Sequence, residues 1–301
     1  MNISNSIIIC TRNRPKDIIQ ALNSLEKQTE LPNEIIIVDS SDKQLLNFPD
    51  FINNFSATKF PQTNLIYKHT KPGLTYQRNI GIKFATSEVV HFFDDDVVLE
   101  NNYLEEMNKI FIEHPEYSGG MGDIENIPAN KKSFNLLLRK IFMLQRIYSS
   151  GKFTLSGMPQ HPYGTNKFKP VQVLGGCLMA YRKPVFEKHL FDENLKRYCY
   201  MEDCDFSARV SFEHKLFYNP KAKLKHFHSE LARDRVEENR AMYIKNYSYL
   251  FFKNFYPKNK FKIFAYIWTI TGLFSEGLIY RNMAYLRGYF KGLKSFYFTS
   301  K

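Results

Sequence analysis

The chain has 301 residues, 44% of them hydrophobic, and a net charge of +12. This composition excludes an intrinsically disordered chain, and four scattered cysteines exclude a small fold held by disulfides. Residues 1–214 are electrically neutral, whereas residues 215–301 carry 17 Lys and Arg against five Asp and Glu. Because a nucleic-acid enzyme concentrates positive charge around its active site, the neutral first part argues against nucleic acid as a partner.

The amino terminus contains a short apolar run, Ile7 to Cys10, with no basic segment before it. Such a run is too short for the apolar region of a secretory signal peptide. The sequence therefore predicts a cytoplasmic location and reduced cysteines.

The first hundred residues alternate between strand and helix patterns. Short, continuous runs of β-branched residues are typical of buried parallel strands, and apolar residues spaced three or four apart indicate helices. The predicted strands are residues 6–10, 34–42, 64–69 and 88–96, and the predicted helices are one beginning at Pro15 and one over 75–86. This alternation predicts an open, mostly parallel α/β sheet flanked by helices.

The middle of the chain is less regular. Residues 117–170 are predicted to be mostly loop, with a basic helical segment over 133–148, because Gly, Pro and Asn recur there. Farther along, the pattern predicts a strand over 171–181, a loop leading into a helix over 185–212, and a last short strand over 221–230. From about residue 231 onward, helices rich in Tyr, Phe and Lys are expected.

Polar residues stand where three of the predicted strands end. Thr11 follows the first strand, Asp39 belongs to the end of the second, and Asp94–Asp96 end the fourth. In open α/β sheets, ligands bind beyond the carboxyl ends of the strands. These residues are therefore predicted to lie in one binding site.

The acidic triplet lies in the sequence VVHFFDDDVVL, where three adjacent like charges need a positive partner. Side chains two apart on an extended segment point the same way, so Asp94 and Asp96 could share one divalent cation, or one cation and a ribose. Mg²⁺ and Mn²⁺ prefer such oxygen ligands. The alternative is the solvated first turn of a helix, where aspartate is also favourable.

Other residues near these strand ends could bind a nucleotide. Asp39 could accept hydrogen bonds from a base or a ribose, although aspartate also stabilises turns after strands. Arg12, Arg14 and Arg78 could bind phosphate oxygens through paired hydrogen bonds, or could be ordinary surface arginines.

Two further clusters are candidates for catalysis and metal binding. The motif YMEDCDF brings Glu202, Asp203 and Asp205 together, and crowding of carboxylates raises a pKa towards that of a general base. An acidic helix amino terminus would explain the same residues. His226 and His228 alternate on an extended segment, so one of them is a candidate metal ligand, with a structural histidine as the alternative.

Five motifs in this order resemble those of glycosyltransferase family 2. They are SIIICTRNRP, EIIIVDSSD, GLTYQRNIGIKFATSEVVHFFDDDVVL, VLGGCLMAYRKPVF and FDENLKRYCYMEDCDFSARV, and the resemblance covers residues 4–228. It implies the GT-A fold and an inverting transferase that uses a nucleotide sugar, expected to be a UDP-sugar, with Mn²⁺ or Mg²⁺. Arg12 departs from the pattern, because many relatives carry an aromatic residue there.

The resemblance also implies a role for each matching residue. The nucleotide-binding residues would be Thr11, Arg14, Asp39, Arg78, Asp94 and Asp95. The metal ligands would be Asp94 and Asp96 with His226 or His228, and which two of the three aspartates act stays open. Gly175 and Gly176 would let the acceptor approach closely. Asp203 would be the general base, with Glu202 as the less favoured choice.

The basic, aromatic region over residues 231–301 is predicted to be a helical extension of a catalytic domain over residues 1–230. A membrane span is not expected, because the apolar stretch Ile263–Tyr280 contains a glutamate and several other polar residues. Lys and Arg beside Phe, Tyr and Trp favour helices lying on an anionic membrane surface. A helical cap on the catalytic domain is compatible with the same pattern.

The basic tail suggests an acceptor on a lipid carrier at the inner face of the cell membrane. The resemblance implies that this acceptor is a growing surface glycan of lipopolysaccharide or capsule type, because many relatives extend such glycans. Two alternatives stay open. A nucleotidyltransferase would usually carry a glycine-rich phosphate loop, which CTRNRP lacks. An inactive scaffold that binds a sugar nucleotide is disfavoured by the intact Asp94, Asp96 and Asp203.

Overall fold

The computed structural model describes residues 3–42, 59–127, 134–144, 150–196, 200–227 and 235–298. Within these ranges the chain forms one nine-stranded mixed sheet flanked by helices. The predicted metal-ligand candidate His228 and the cysteine Cys199 lie outside the described residues.

The first part of the sheet is parallel. Its strands are β1 (Asn5–Thr11), β2 (Glu34–Asp39), β3 (Asn64–His69) and β4 (Val89–Asp94), in the order β3-β2-β1-β4. The register pairs Thr11 with Asp39 and Cys10 with Asp94, so the strand ends predicted to form a site lie side by side. The β-branched runs of these strands are buried throughout β1 and β2, as a covered parallel sheet requires.

Two helices pack on this parallel part. Helix α1 (Pro15–Glu26) starts with its proline in the first turn, where the missing N–H costs nothing, and buries Ile18, Leu22 and Leu25. Helix α2 (Leu74–Phe84) packs against β1 through Gly81. A Cβ there would lie 2.5 Å from the Ile8 side chain, so the close approach requires glycine.

The rest of the sheet is mixed. Its strands are β5 (Val97–Leu99), β6 (Tyr117–Ile124), β7 (Lys169–Val171), β8 (Leu178–Arg182) and β9 (Lys215–His226). Strand β8 joins β4 antiparallel, and the order continues β8-β6-β9-β5, with β7 paired to β9. Only β6 and β9 run parallel among these pairs. The predicted α/β sheet is therefore present, with an antiparallel half added to the parallel one.

The prediction of loop was wrong for β6, whose sequence is YSGGMGDI. Its glycines face bulky groups rather than turns: a Cβ at Gly119 would lie 2.5 Å from Tyr181, and one at Gly120 would lie 2.4 Å from Phe217. Glycine here makes room for aromatic rings on neighbouring strands, which a local reading of the sequence cannot distinguish from a loop.

Strand β9 is also longer than the predicted strand over 221–230, because it begins at Lys215. Asn219 and Pro220 read as a turn. In the structure they lie where the pairing with β6 shifts register, between Tyr218 and Lys223. Proline is tolerated at such an irregularity, since no ladder hydrogen bond is lost.

Five further helices follow along the chain, and the last of them belongs to the carboxyl-terminal region. They are α3 (Tyr103–Glu113), α4 (Phe134–Ile141), α5 (Val185–Lys188), α6 (Glu202–Ser211) and α7 (Val236–Leu250). A π-helical turn, Phe251–Phe255, follows α7, and then come α8 (Lys262–Ile279) and α9 (Met283–Phe298). Helices were expected after residue 231, and the described residues of that region are mainly helical.

Helices α7 and α9 lie against each other at very short range. A Cβ at Gly288 would be 2.5 Å from the Glu237 carbonyl oxygen, and one at Gly292 would be 2.2 Å from that of Ala241. Two glycines one turn apart on α9 thus let the two backbones touch. A second apolar core, with Met158, Tyr247 and Phe251 among its members, joins α7 to the rest of the chain.

None of the helices in the described ranges combines the length and hydrophobicity that a membrane span requires.

Candidate active site

A cleft of about 1400 Å³ opens beyond the carboxyl ends of β1 and β4. Nine candidate residues from the sequence line it: Thr11, Arg12, Arg14, Asp94, Asp95, Asp96, Glu202, Asp203 and His226. The strands and the amino terminus of α6 therefore bring the acidic triplet and the YMEDCDF motif together, although more than a hundred residues separate them in sequence.

Asp94, Asp96 and His226 form a possible cation site at one end of the cleft. Their ligand atoms all lie within 4.8 Å of one another. His226 Nε2 is 3.0 Å from Asp96 Oδ1 and 3.9 Å from Asp94 Oδ2. The antiparallel pairing of β5 with β9 sets Val97 opposite His226, which brings the histidine beside the triplet.

This donor set fits a divalent cation such as Mn²⁺. Two carboxylates and one imidazole are ligands that Mn²⁺ accepts, and their ligand atoms converge. Arg78 Nη2 lies 3.4 Å from Asp94 Oδ1, and Arg14 Nη1 lies 3.5 Å from Asp96 Oδ2. Burial alone would lower the pKa of His226, but the hydrogen bond to Asp96 and the nearby Cys177 and Asp94 raise it to about 11. A protonated His226 thus compensates the charge of the two carboxylates.

Asp95 points to other partners than its two neighbours. Its carboxylate accepts a hydrogen bond from Thr11 Oγ1 at 2.7 Å and one from Arg14 Nη1 at 2.9 Å. Burial raises the pKa of Asp95 to about 6 in spite of these contacts. The geometry therefore groups Asp94 and Asp96 with His226, and groups Asp95 with Thr11 and Arg14.

Arg78 lies beneath the cleft rather than in its wall. It is buried, and its guanidinium contacts Glu202 at 3.0 Å, the Gly176 carbonyl oxygen at 3.0 Å and Asp94 at 3.4 Å. It thereby connects the end of β4, the turn before β8 and the amino terminus of α6. Its predicted contact with the donor stays a prediction.

Glu202 and Asp203 begin α6, after Met201 in a left-handed conformation at φ 70°. Glu202 is buried against Arg78, and its burial, followed by the charge of Asp203, raises the pKa of Glu202 above its usual range. Asp203 instead lines the cleft and accepts hydrogen bonds from the backbone N–H groups of Gly176 and Cys204, each at 2.8 Å, with the Cys204 thiol and the His161 ring close by. The two carboxylates thus have different surroundings, and Asp203 is the one available to a ligand.

The two glycines predicted to contact the acceptor have a packing requirement of their own. A Cβ at Gly175 would lie 1.7 Å from the Tyr163 hydroxyl oxygen. One at Gly176 would come within 3.2 Å of Arg78 and 3.3 Å of Asp203. Glycine at both positions lets the turn close onto the catalytic candidates, and a role in acceptor binding stays a prediction.

Asp39 is fully buried and does not line the cleft, although its neighbour Ser40 does. Ser41 donates both its N–H and its hydroxyl to one Asp39 oxygen, and the Tyr67 hydroxyl donates to the other at 2.7 Å. Arg12, which also lines the cleft, forms an exposed ion pair with Asp42. A contact of Asp39 with the nucleotide base stays a prediction.

Sequence reasoning missed one wall of the cleft. Helix α7 contributes Val236, Asn239, Arg240 and Tyr243, and α9 contributes Tyr285. The spacing of the α7 residues, at three, four and seven positions, is the signal of one helix face, but nothing local to the helix shows that this face borders a site.

The chain matches the model of glycosyl transferase family 2 over residues 6–190, which is more than half of its length. The protein belongs to this family. The amylovoran biosynthesis glycosyltransferase AmsB of Erwinia amylovora is 28% identical over 231 residues, which are 73% of this chain and 69% of AmsB. Because it belongs to this family, the protein is a glycosyltransferase, and the resemblance seen in its sequence motifs is confirmed.

Solved structures show the fold. S. aureus TarS 1–349 in complex with UDP-GlcNAc superposes with a TM-score of 0.58 at 18% identity, covering 98% of this chain and 80% of that one. GalNAc-T7 with UDP, GalNAc and Mn²⁺ gives a TM-score of 0.62 at 16% identity, covering 94% and 58%. This chain spans only 39% of a longer TarS chain. The predicted GT-A fold is thus confirmed.

Proposed function

We propose that the protein is a metal-dependent, inverting glycosyltransferase that moves a sugar from a UDP-sugar to a hydroxyl of a bacterial surface glycan. The observation that carries the proposal is the presence, in one cleft, of the Asp94, Asp96 and His226 cluster and of the Asp203 carboxylate. The cluster can hold a cation that binds a diphosphate, and Asp203 can accept a proton.

The donor is inferred from the family and from structures of the same fold. TarS has been solved with UDP-GlcNAc, and GalNAc-T7 with UDP, GalNAc and Mn²⁺. AmsB is named for amylovoran biosynthesis, which supports a glycan-building role for the present chain. In this proposal Thr11, Arg14 and Asp39 belong to the nucleotide side of the site.

Asp94, Asp96 and His226 would hold the divalent cation, whose positive charge would stabilise the departing nucleoside diphosphate. Arg14, fixed by Asp95, adds a second positive charge at the same end of the cleft. Asp95 thus supports the donor side through Arg14, and Arg78 fixes the orientation of Asp94 from below. His228 stays an alternative ligand that lies outside the described residues.

Asp203 would act as the general base. The backbone N–H groups of Gly176 and Cys204 use one lone pair on each of its oxygens, which leaves a second lone pair on each for an acceptor hydroxyl. The proton passes from that hydroxyl to Asp203, and the hydroxyl oxygen forms the new bond to the anomeric carbon as the bond to the diphosphate breaks. A single displacement from the opposite side inverts the anomeric carbon, and no carboxylate nucleophile is needed.

The acceptor is proposed to be attached to a lipid at the inner face of the membrane, as in lipopolysaccharide or capsule synthesis. Support comes from α8 and α9, which expose a set of large apolar side chains: Phe261, Phe264, Ile267, Leu278, Met283, Phe290 and Phe298. On α9 the exposed Arg287, Lys291 and Lys294 share this surface with Met283 and Phe290. A helix that alternates basic and apolar exposed residues suits an anionic bilayer surface.

Calorimetric titration with UDP, GDP, CDP and dTDP, each with and without Mn²⁺, tests the proposed donor. We expect Mn²⁺-dependent binding of UDP that Asp96→Ala weakens by at least tenfold, since one of three ligands is lost. Glu213→Ala, which removes a carboxylate outside the cleft, is the matched control and should bind like the unmodified protein.

Failure of the folded protein to bind any of these nucleotides would contradict the proposal. Binding of UDP without sugar transfer to any acceptor would favour the alternative of an inactive scaffold.

A further inference from the structure

Helices α7 and α9, which pack against each other through glycines, build one wall of the cleft. This wall contains an arginine, Arg240, to which the proposed function gives no role. Arg240 on α7 lines the cleft with its guanidinium 4.0 Å from the centre of the Tyr285 ring on α9. The close contact of the helices at Gly288 and Gly292 fixes the two side chains relative to each other. Arg240 is therefore held in position, rather than free to follow any ligand.

The other arginines of the site already have carboxylate partners, but Arg240 does not. Arg12 pairs with Asp42, and Arg14 pairs with Asp95. Among the residues that the structure describes, no carboxylate lies within 4.0 Å of Arg240, and its contacts are with tyrosines. A half-buried guanidinium that faces a cleft without a counter-charge favours the binding of an anion there.

The nearest carboxylates of these helices are engaged elsewhere. Glu237, one turn before Arg240, contacts Arg287 at 2.9 Å and Lys291 at 3.8 Å. Glu276 on α8 pairs with Arg139. Within the part of the chain that the structure describes, the charge on Arg240 is thus left for a ligand.

This wall contacts the segment that leads to the proposed base. Tyr243, one turn after Arg240, has its ring centre 6.3 Å from that of Tyr200, and Asn246 donates a hydrogen bond to the Tyr200 carbonyl oxygen. Tyr200 stands three residues before Asp203. The wall is therefore close in the fold to Asp203, the residue that would accept the proton of the acceptor hydroxyl in the proposed function.

We propose that Arg240 binds an anionic group of the acceptor, a phosphate or a carboxylate, while the tyrosine rings of the same wall contact the sugar that carries it. The proposal rests on the proposed function, because it concerns the acceptor of that reaction. Planar guanidinium groups bind both kinds of oxyanion through paired hydrogen bonds, and aromatic faces give apolar contact to sugar rings. A phosphate would come from the lipid diphosphate link, and a carboxylate would come from an acidic sugar.

Three soluble probes test this subsite: methyl glucoside, which is neutral, methyl glucuronide, and glucosyl diphosphate capped with a methyl group. Each is titrated into protein saturated with UDP and Mn²⁺, so that the metal end cannot bind the diphosphate probe. We expect one anionic probe to bind at least tenfold more tightly than methyl glucoside. In Arg240→Gln this preference should disappear, a loss of about 10- to 100-fold, as removal of a charged hydrogen bond predicts.

Two further variants separate a binding role from a structural one. Arg240→Lys keeps the charge and should retain part of the preference for the anionic probe. Lys291→Gln removes one positive charge from α9 outside the cleft lining and should behave like the unmodified protein. Thermal unfolding of each variant checks that the helices remain packed.

The outcomes identify which anionic group binds and separate the proposed subsite from the proposed function. Preference for the diphosphate identifies a phosphate ligand, and preference for the glucuronide identifies an acidic sugar; either supports the subsite. Equal binding of the three probes, no binding of either anionic probe, or an equal loss in Lys291→Gln would overturn it. UDP binding, measured on the same variants and expected to change less than twofold in Arg240→Gln, reports separately on the proposed function.

Discussion

Three consecutive aspartates, which share the same charge and the same strand end, have three different environments. Asp94 contacts Arg78, Asp95 contacts Arg14 and Thr11, and Asp96 contacts His226. Arg14 also lies 3.5 Å from Asp96, and His226 lies 3.9 Å from Asp94, so the three carboxylates share three positive groups that compensate their mutual repulsion locally. β4 ends at Asp94, and the turn formed by Asp95 and Asp96 directs Asp95 towards Thr11 and Arg14, whereas Asp94 and Asp96 converge on His226.

The neighbouring pair Glu202 and Asp203 leads to a prediction about catalysis. Asp203→Asn should lower kcat by about 10²- to 10⁴-fold, the usual contribution of a general base, while UDP binding and the unfolding midpoint change little. The amide keeps the size of the side chain and one oxygen for a backbone N–H, so the turn at Gly176 can remain closed. Steady-state kinetics and calorimetry on the same preparation measure both quantities.

Glu202→Gln is the comparison variant, and its expected effect is on folding. It would leave Arg78 buried with a weaker partner, and loss of one member of a buried ion pair costs about 3–5 kcal/mol. A kcat that falls equally in both variants without loss of stability in Glu202→Gln would argue against Asp203 as the sole base.

At the scale of secondary structure, the sequence predicted the parallel half of the fold well. The strands β1 to β4 are continuous apolar runs whose burial on both faces leaves a clear pattern, and the polar residues that end them mark the site. The same pattern did not predict β6, because its glycines leave space for aromatic rings that are distant in sequence. It also could not assign the α7 face to the cleft, because that depends on how α7 and α9 pack.

One connection between elements can be tested by pH. Asp192, in the segment before α6, accepts hydrogen bonds from Lys253 in the π-helical turn and from Tyr249 on α7. Burial would raise the pKa of Asp192, but these bonds and the backbone N–H of Asn194 lower it to about 2. The stabilisation from Asp192 is therefore complete above about pH 4 and is lost as the pH falls towards 2.

Asp192→Asn should accordingly lower the free energy of unfolding by about 1–2 kcal/mol at pH 7, a value discounted for partial solvent exposure, and by much less near pH 2. Urea unfolding of both proteins across this range measures the difference. Glu187→Gln, an exposed change on α5 with no ion pair among the described residues, should leave stability unchanged at every pH. A difference between Asp192→Asn and the unmodified protein that stays constant down to pH 2 would contradict the assignment.

On the scale of the whole molecule, charge and exposed apolar surface coincide. The net charge of +12 comes from residues 215–301, and the described helices of that region expose many large apolar side chains. The same region lines the cleft through Arg240 and Tyr285, so α7 and α9 contribute to the site as well as to the surface. The division into a catalytic domain ending at residue 230 and a helical extension stays a prediction. The cleft is lined by residues from both sides of this boundary.

This coincidence predicts salt-sensitive binding to anionic membranes. The protein should co-sediment with vesicles of phosphatidylcholine and phosphatidylglycerol, and much less with phosphatidylcholine alone, because each Lys or Arg near an anionic surface contributes about 1 kcal/mol. Raising the salt concentration to 0.5 M should weaken the binding, since screening shortens the range of the attraction. In Lys291→Gln combined with Lys294→Gln, binding should fall about tenfold or more.

The apolar contribution is separated by a second pair of changes. Phe264→Ser with Phe290→Ser should weaken vesicle binding at both low and high salt, because the aromatic rings would no longer insert below the headgroups. Leu155→Ser changes a leucine that is 64% exposed but lies far from α8 and α9 in sequence, and should have no effect. Equal loss in this control, or binding indifferent to lipid charge, would mean that the exposed surface of α8 and α9 is not a membrane-binding surface and that the basic residues serve the acceptor alone.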